Sequence, residues 1–259
     1  MLFKKILGWL VLFLLLVVLG GLIISKQLFL QEPVPSPSPS VSESPSPTPS
    51  PTPTQTPTPT LSVYQDKPDI DISSWEYTLV NKENLLASDF MPELMAVADG
   101  QRLDSRASEA FKEFVSAAKA EGLTVYITSA YRSFDTQEYL FNKKVTEYLV
   151  SEGSQEAAVK KAKTIVAYPG TSEHQLGLAC DIVDKYYEYM NESLADTPLS
   201  IWMEANCAKY GFIQRYPEGK SDITGVMFEP WHYRYVGKEA AAYIMEKGLT
   251  LEEFVALYK

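Results

Sequence analysis

The chain has 259 residues, with 23 Lys and Arg against 33 Asp and Glu, a formal net charge of −10, two cysteines and two histidines. It contains no basic stretch that would track a phosphate backbone, so no nucleic-acid partner is expected. Cys180 and Cys207 do not form a Cys-x-x-Cys metal or redox pair; one disulfide and two separate buried thiols both stay open.

Residues 6–24 are apolar and uncharged, with Lys4 and Lys5 before them and Lys26 after. As a helix they would span about 28 Å, close to the ~30 Å hydrocarbon core of a bilayer. The lysine bias places the N-terminus in the cytoplasm. A cleaved signal would have a shorter apolar region ending in a small-x-small site, so residues 1–27 are expected to be a cytoplasmic tip and an uncleaved membrane anchor. Residues 33–60 repeat Pro-Ser and Thr-Pro, carry one charge, Glu43, and have no aromatic side chain. Such a segment cannot bury a core and is expected to be a disordered, PPII-like stalk within 28–62, reaching up to roughly 85 Å. The remaining residues, 63–259, are long enough for one domain with a core, and their net charge is −11.

Residues 81–92 are expected to be an extended lead-in. Ala107, Phe111, Phe114, Val115 and Ala118 recur at helical spacing within 105–121, with Gly122 as the stop. Residues 123–129 alternate and are β-branched, which predicts a strand. Helices are expected at 135–149 and 154–164, a short buried strand at 178–183, and a helix at 199–210 that ends on Gly211. Strands follow at 212–215 and 232–236, then helices at 238–247 and 251–258, the last capped by Thr250. Helices with scattered strands indicate an α+β fold, a small antiparallel sheet with flanking helices, rather than repeating βαβ units.

Both histidines sit beside carboxylates. His174 lies in Ser172-Glu-His-Gln-Leu-Gly-Leu-Ala-Cys-Asp181, where a turn at Gly177 would return it to Asp181. His232 lies in Glu229-Pro-Trp-His-Tyr-Arg. Two imidazoles and a carboxylate are a common ligand set for one catalytic Zn²⁺, with the fourth position left to water. Pro230 keeps Glu229 out of a helix, so a turn should lead into a strand carrying His232. Glu229 is then placed to act on water at the metal, and Trp231 to pack one flank and limit solvent. Ser129-Ala-Tyr-Arg-Ser133 follows a strand, where Arg132 offers a planar fork to a carboxylate or carbonyl oxygen. Tyr186, Tyr187 and Tyr189 either line a cleft or pack on the surface.

Together these motifs resemble the zinc D-alanyl-D-alanine carboxypeptidase family of the VanY type, which shares its fold with lysostaphin-type peptidases and the hedgehog signalling domain. The resemblance covers roughly residues 80–259. It implies zinc ligands His174, Asp181 and His232, a catalytic base at Glu229, and a catalytic and substrate contact at Arg132. Gln137, Ser172, Tyr131 and Trp231 are further substrate-binding candidates. The implied activity is removal of the C-terminal D-alanine from peptidoglycan stem peptides by a membrane-anchored monomer whose domain faces outward. L,D-carboxypeptidase action on the tetrapeptide stem, cross-link endopeptidase action and a non-catalytic wall-binding module that retains zinc are the alternatives.

Overall fold

Asp104 starts the first long helix by accepting a hydrogen bond from the Arg106 amide, while Ser108 Oγ donates back to the Asp104 carbonyl. This helix, α1 (Ser105–Ala120), buries Ala107, Phe111, Phe114, Val115 and Ala118, the stripe expected from their spacing. Its exit uses Gly122 at φ 79 and a bond from the Leu123 amide to the Ala118 carbonyl. That exit occupies the first residues of the expected strand, so β3 is shorter, Tyr126–Ser129.

The computed structural model describes residues 66–185 and 190–259. The expected anchor, most of the stalk, and Tyr186, Tyr187 and Tyr189 lie outside the described residues. Those described belong to one unit, Thr58–Lys259, and none of their helices is long and apolar enough to cross a membrane. Ahead of α1, β1 (Leu94–Ala96) and β2 (Arg102–Asp104) form an antiparallel pair. Beyond β3 come α2 (Phe134–Glu152) and α3 (Gln155–Ala162), capped by Ser133 and Ser154, with Gly153 at φ 71 between them. They share a small core of Phe141, Val145, Ala158 and Ala162. Next are β4 (Ala179–Val183), α4 (Pro198–Asn206), β5 (Phe212–Gln214), the single-turn α5 (Ser221–Thr224) and β6 (His232–Tyr235). The chain closes with α6 (Lys238–Lys247) and α7 (Leu251–Ala256), the latter opened by a reciprocal cap between Thr250 and Glu253.

The main sheet is antiparallel in the order β3-β4-β6-β5, so the α+β expectation holds. Alternate residues of a strand face opposite sides. Ile127, Cys180, Ile182, Phe212 and Tyr233 join the core under Phe111 and Phe114 of α1. Phe114 stacks on Phe212 at 5.5 Å and meets Tyr233 edge-on at 5.8 Å. Cys180 and Cys207 are both buried there as free thiols, which resolves the alternative left open by sequence. The opposite face carries Asp181 and His232, which are register partners on β4 and β6.

Candidate active site and metal centre

Glu173–Leu176 forms one 3-10 turn that ends on Gly177 in the left-handed region at φ 70. A Cβ at 177 would lie 2.9 Å from the Asp104 backbone nitrogen and 3.2 Å from Pro92 Cγ, so both conformation and space require glycine. The chain reverses there and returns through β4, bringing Asp181 Oδ2 to 3.2 Å from His174 Nε2. His174 Nδ1 is 2.7 Å from the Ala130 carbonyl. A carbonyl only accepts, so Nδ1 carries the proton and Nε2 presents its lone pair.

Sheet register sets the other half. Ser129 lies opposite Asp181 and Asp181 opposite His232. The β3–β4 register shifts between Ile127 and Ser129. That irregularity lets Ile127 join the core while Ser129 two residues later serves the site face, a common use of a bulge beside a functional site. His232 Nδ1 is 3.0 Å from Asp181 Oδ1, and the two imidazole rings stand at 88° with centroids 5.0 Å apart. Ahead of β6, the His232 amide donates to the Glu229 carbonyl at 3.1 Å, closing the turn expected around Pro230. Glu229 Oε2 is 3.8 Å from His232 Nδ1, and its side chain is 18% exposed, so it forms the partly open side of an otherwise closed cage. Trp231 is buried beside Val183, Leu194 and Met190.

Arg132 follows β3, and its amide donates to the His174 carbonyl. Its guanidinium donates to Gln137 Oε1 and Ser129 Oγ, both at 2.7 Å, and lies 3.9 Å from Asp181 Oδ2. Gln137 is buried, and its Nε2 donates to the Ala167 carbonyl at 2.6 Å. Both ends of the amide are therefore engaged, and Gln137 stands behind Arg132 as a brace. Ser172 is buried at the start of the 3-10 turn. Tyr131 is partly exposed, with the Arg102 guanidinium 5.9 Å from its ring.

Sequence reasoning assigned no role to a set of buried charges behind His232. Glu173 Oε1 accepts from Arg215 Nε at 2.8 Å and from Arg234 Nη1 at 2.7 Å. Arg215 also makes a two-pronged pair with Glu252 of α7. The Tyr216 ring lies 4.9 Å from that of His232. The only signal in the sequence was charge placed inside or at the end of apolar strands, which is easily mistaken for a solvated edge.

Burial alone would raise the Asp181 carboxyl, but His174 and His232 outweigh it and hold the group below the usual carboxylate range. Burial works against charge on His232, yet the hydrogen bond to Asp181 and the nearby Glu173 carboxylate push it up to about 9. Burial pushes Glu229 up to about 7, against the pull of His232 and Arg132. The cage therefore attracts positive charge. His174 Nε2 and Asp181 Oδ2, 3.2 Å apart, are two acceptors that a proton or a metal ion between them would satisfy. The ligand atoms of His174, Asp181 and His232 all lie within 4.8 Å of one another. Two imidazoles and one carboxylate with a fourth position open match a catalytic zinc site, whose bonds of ~2.0–2.2 Å suit this spacing.

Residues 100–238 match the VanY family, described as D-alanyl-D-alanine carboxypeptidase. A D-alanyl-D-alanine carboxypeptidase of Enterococcus faecalis is 41% identical over 186 residues, which is 71% of this chain and 67% of that protein. Among solved structures, a Zn(II) complex of a variant of the vancomycin-resistance D,D-pentapeptidase VanY, from the VanB-type cassette, is similar. Its TM-score is 0.62 at 40% identity, covering 70% of this chain and 99% of that one. The structure of the LdcB LD-carboxypeptidase gives a TM-score of 0.62 at 39% identity, covering 70% and 86%.

Proposed function

Because the chain belongs to the VanY D-alanyl-D-alanine carboxypeptidase family, we propose that it is a zinc peptidase releasing the C-terminal D-alanine of peptidoglycan stem peptides. The observation that carries this reading is convergence. The His174–Asp181–His232 cage, the Glu229 carboxylate and the Arg132 fork surround one small space.

His174 through Nε2, Asp181 and His232 would hold the zinc. When bound, zinc supplies Lewis acidity, polarising a peptide carbonyl and acidifying water. Glu229 takes the proton from the attacking water and returns it to the leaving amine, a role suited to a carboxyl whose burial raises it toward neutrality. Arg132, held in orientation by Gln137 and Ser129, directs its remaining N–H groups at the terminal carboxylate or the oxygen that gains charge. Trp231 would keep bulk water from one side, and Ser172 and Tyr131 are the further candidates for substrate contact.

A second reading, L,D-carboxypeptidase action on the tetrapeptide stem, is favoured by the equal similarity to the LdcB enzyme. The zinc-loaded full chain is incubated with stem pentapeptide and tetrapeptide, and free D-alanine is measured. Release from the pentapeptide supports the D,D reading; release from the tetrapeptide alone replaces it with the L,D reading.

We further propose that residues 1–27 anchor a monomeric enzyme with its N-terminus in the cytoplasm, and that residues 28–62 hold the 63–259 domain out toward the wall. The apolar run, the flanking lysines and the Pro-rich repeats support this. Carbonate extraction of membranes tests it, since an anchored chain stays in the pellet.

A further inference from the structure

Four buried side-chain polar atoms of the described residues have no hydrogen-bond partner, and two of them, Glu173 Oε2 and His232 Nε2, belong to neighbouring side chains at the metal site. They face each other at 3.7 Å. Paired orphans of this kind call for an explanation, because an unpartnered buried polar atom costs about 1–3 kcal/mol.

The surroundings leave Glu173 little freedom. Its other oxygen, Oε1, takes hydrogen bonds from Arg215 and Arg234. Both arginines are fixed by further partners: Arg215 by Glu252, and Arg234 by the carbonyls of Glu76, Thr78 and Tyr235. With Oε1 pinned, Oε2 is left pointing at His232. His232 in turn presents Nδ1 to Asp181 at 3.0 Å, on the side where His174 Nε2 also converges. A neutral imidazole has one N–H and one lone pair. If Nδ1 gives its lone pair to the metal, the proton must sit on the buried Nε2, and Glu173 Oε2 is the acceptor facing it.

We propose that Glu173 is a positioning residue for the metal centre, accepting the His232 Nε2 proton and so reserving Nδ1 for zinc, with Arg215 and Arg234 holding its carboxylate in place. This rests on the reading of His174, Asp181 and His232 as the zinc ligands. The two histidines would then bind zinc through opposite nitrogens, His174 with its proton on Nδ1 and His232 with its proton on Nε2. Partners that orient a ligating histidine in this way typically contribute 10- to 100-fold in metal affinity.

The full chain, labelled with ¹⁵N at histidine, gives two imidazole spin systems, because the sequence has two histidines. Long-range ¹H–¹⁵N correlation of the zinc-loaded protein reads each tautomer directly, without any variant. Glu173→Gln adds a second readout. Arg215 and Arg234 claim the amide oxygen, so the amide NH₂ turns toward His232 and favours the lone pair on Nε2. Zinc affinity, measured by chelator competition, is expected to fall about 10- to 100-fold, with near-ultraviolet circular dichroism unchanged. Opposite tautomers in the wild type together with that loss support the proposal. His232 protonated at Nδ1 in the zinc form, or a folded Glu173→Gln protein within about twofold of wild-type affinity, overturns it while leaving the zinc site intact. A wild-type chain that binds no zinc overturns the metal reading, and this inference with it.

Discussion

On one face of the main sheet Ile127, Cys180, Ile182, Phe212 and Tyr233 pack beneath α1; on the other stand Asp181, His232 and Arg234. Both faces are closed to solvent, but they are held together differently. The apolar face depends on area and shape, terms that scale with the atoms removed and tolerate partial loss. The polar face depends on a specific partner for each charge, and removing one partner leaves another buried without compensation. The apolar face should therefore govern how much of the chain is folded, and the polar face what each folded molecule does.

The largest separation is expected from Asp181→Ala. Both histidines lose their shared carboxylate, zinc affinity falls by more than the ~100-fold typical of losing an outer partner, and D-alanine release drops to background. Metal content after dialysis against chelator checks this, and full occupancy would remove Asp181 from the ligand set. Phe114→Ala probes the other face. It should lower unfolding free energy by about 3–5 kcal/mol, read by denaturant titration, while zinc content and turnover per folded molecule stay at the wild-type level. A site defect in that variant would mean that the two faces are not separable. Arg132→Ala should cost about 10²–10³ in turnover, the scale for removing a donor to developing charge, with zinc retained.

The smallest effect is one of pH. His232 is held up to about 9 in the metal-free protein, so below that pH zinc must displace its proton. Apparent zinc affinity should rise with pH by about tenfold per unit between pH 7 and 8 and level off near 9, because binding releases a proton. A flat profile from chelator competition would show that His232 is already neutral.

The polar face was partly legible in the sequence because its ligands sit in short segments whose geometry is fixed locally. Gly177 can only be a tight reversal, Pro230 bars a helix, and two histidines beside carboxylates leave few other candidates. The start of the last helix was legible because its cap at Thr250 is chemical, whereas the caps at Asp104, Ser133 and Ser154 emerge only from the structure. What escaped depends on distant pairing. β1 and β2 are three residues each, too short to show alternation. The placement of β6 between β4 and β5 is a property of long-range contacts. Glu173, Arg215 and Arg234 are charged residues whose burial appears only after β4, β5, β6 and α7 come together. Gln137 illustrates the same limit: its place near the site followed from the motif, but its role as a brace for Arg132 required the Ala167 carbonyl, 30 residues away.

The most direct measurement compares the zinc-loaded full chain with its Glu229→Gln variant on stem pentapeptide, following zinc content and free D-alanine together. A zinc peptidase with Glu229 as its proton carrier predicts equal zinc in the two proteins and a loss of release by about 10²–10⁴-fold in the variant. Equal release from both would contradict the account.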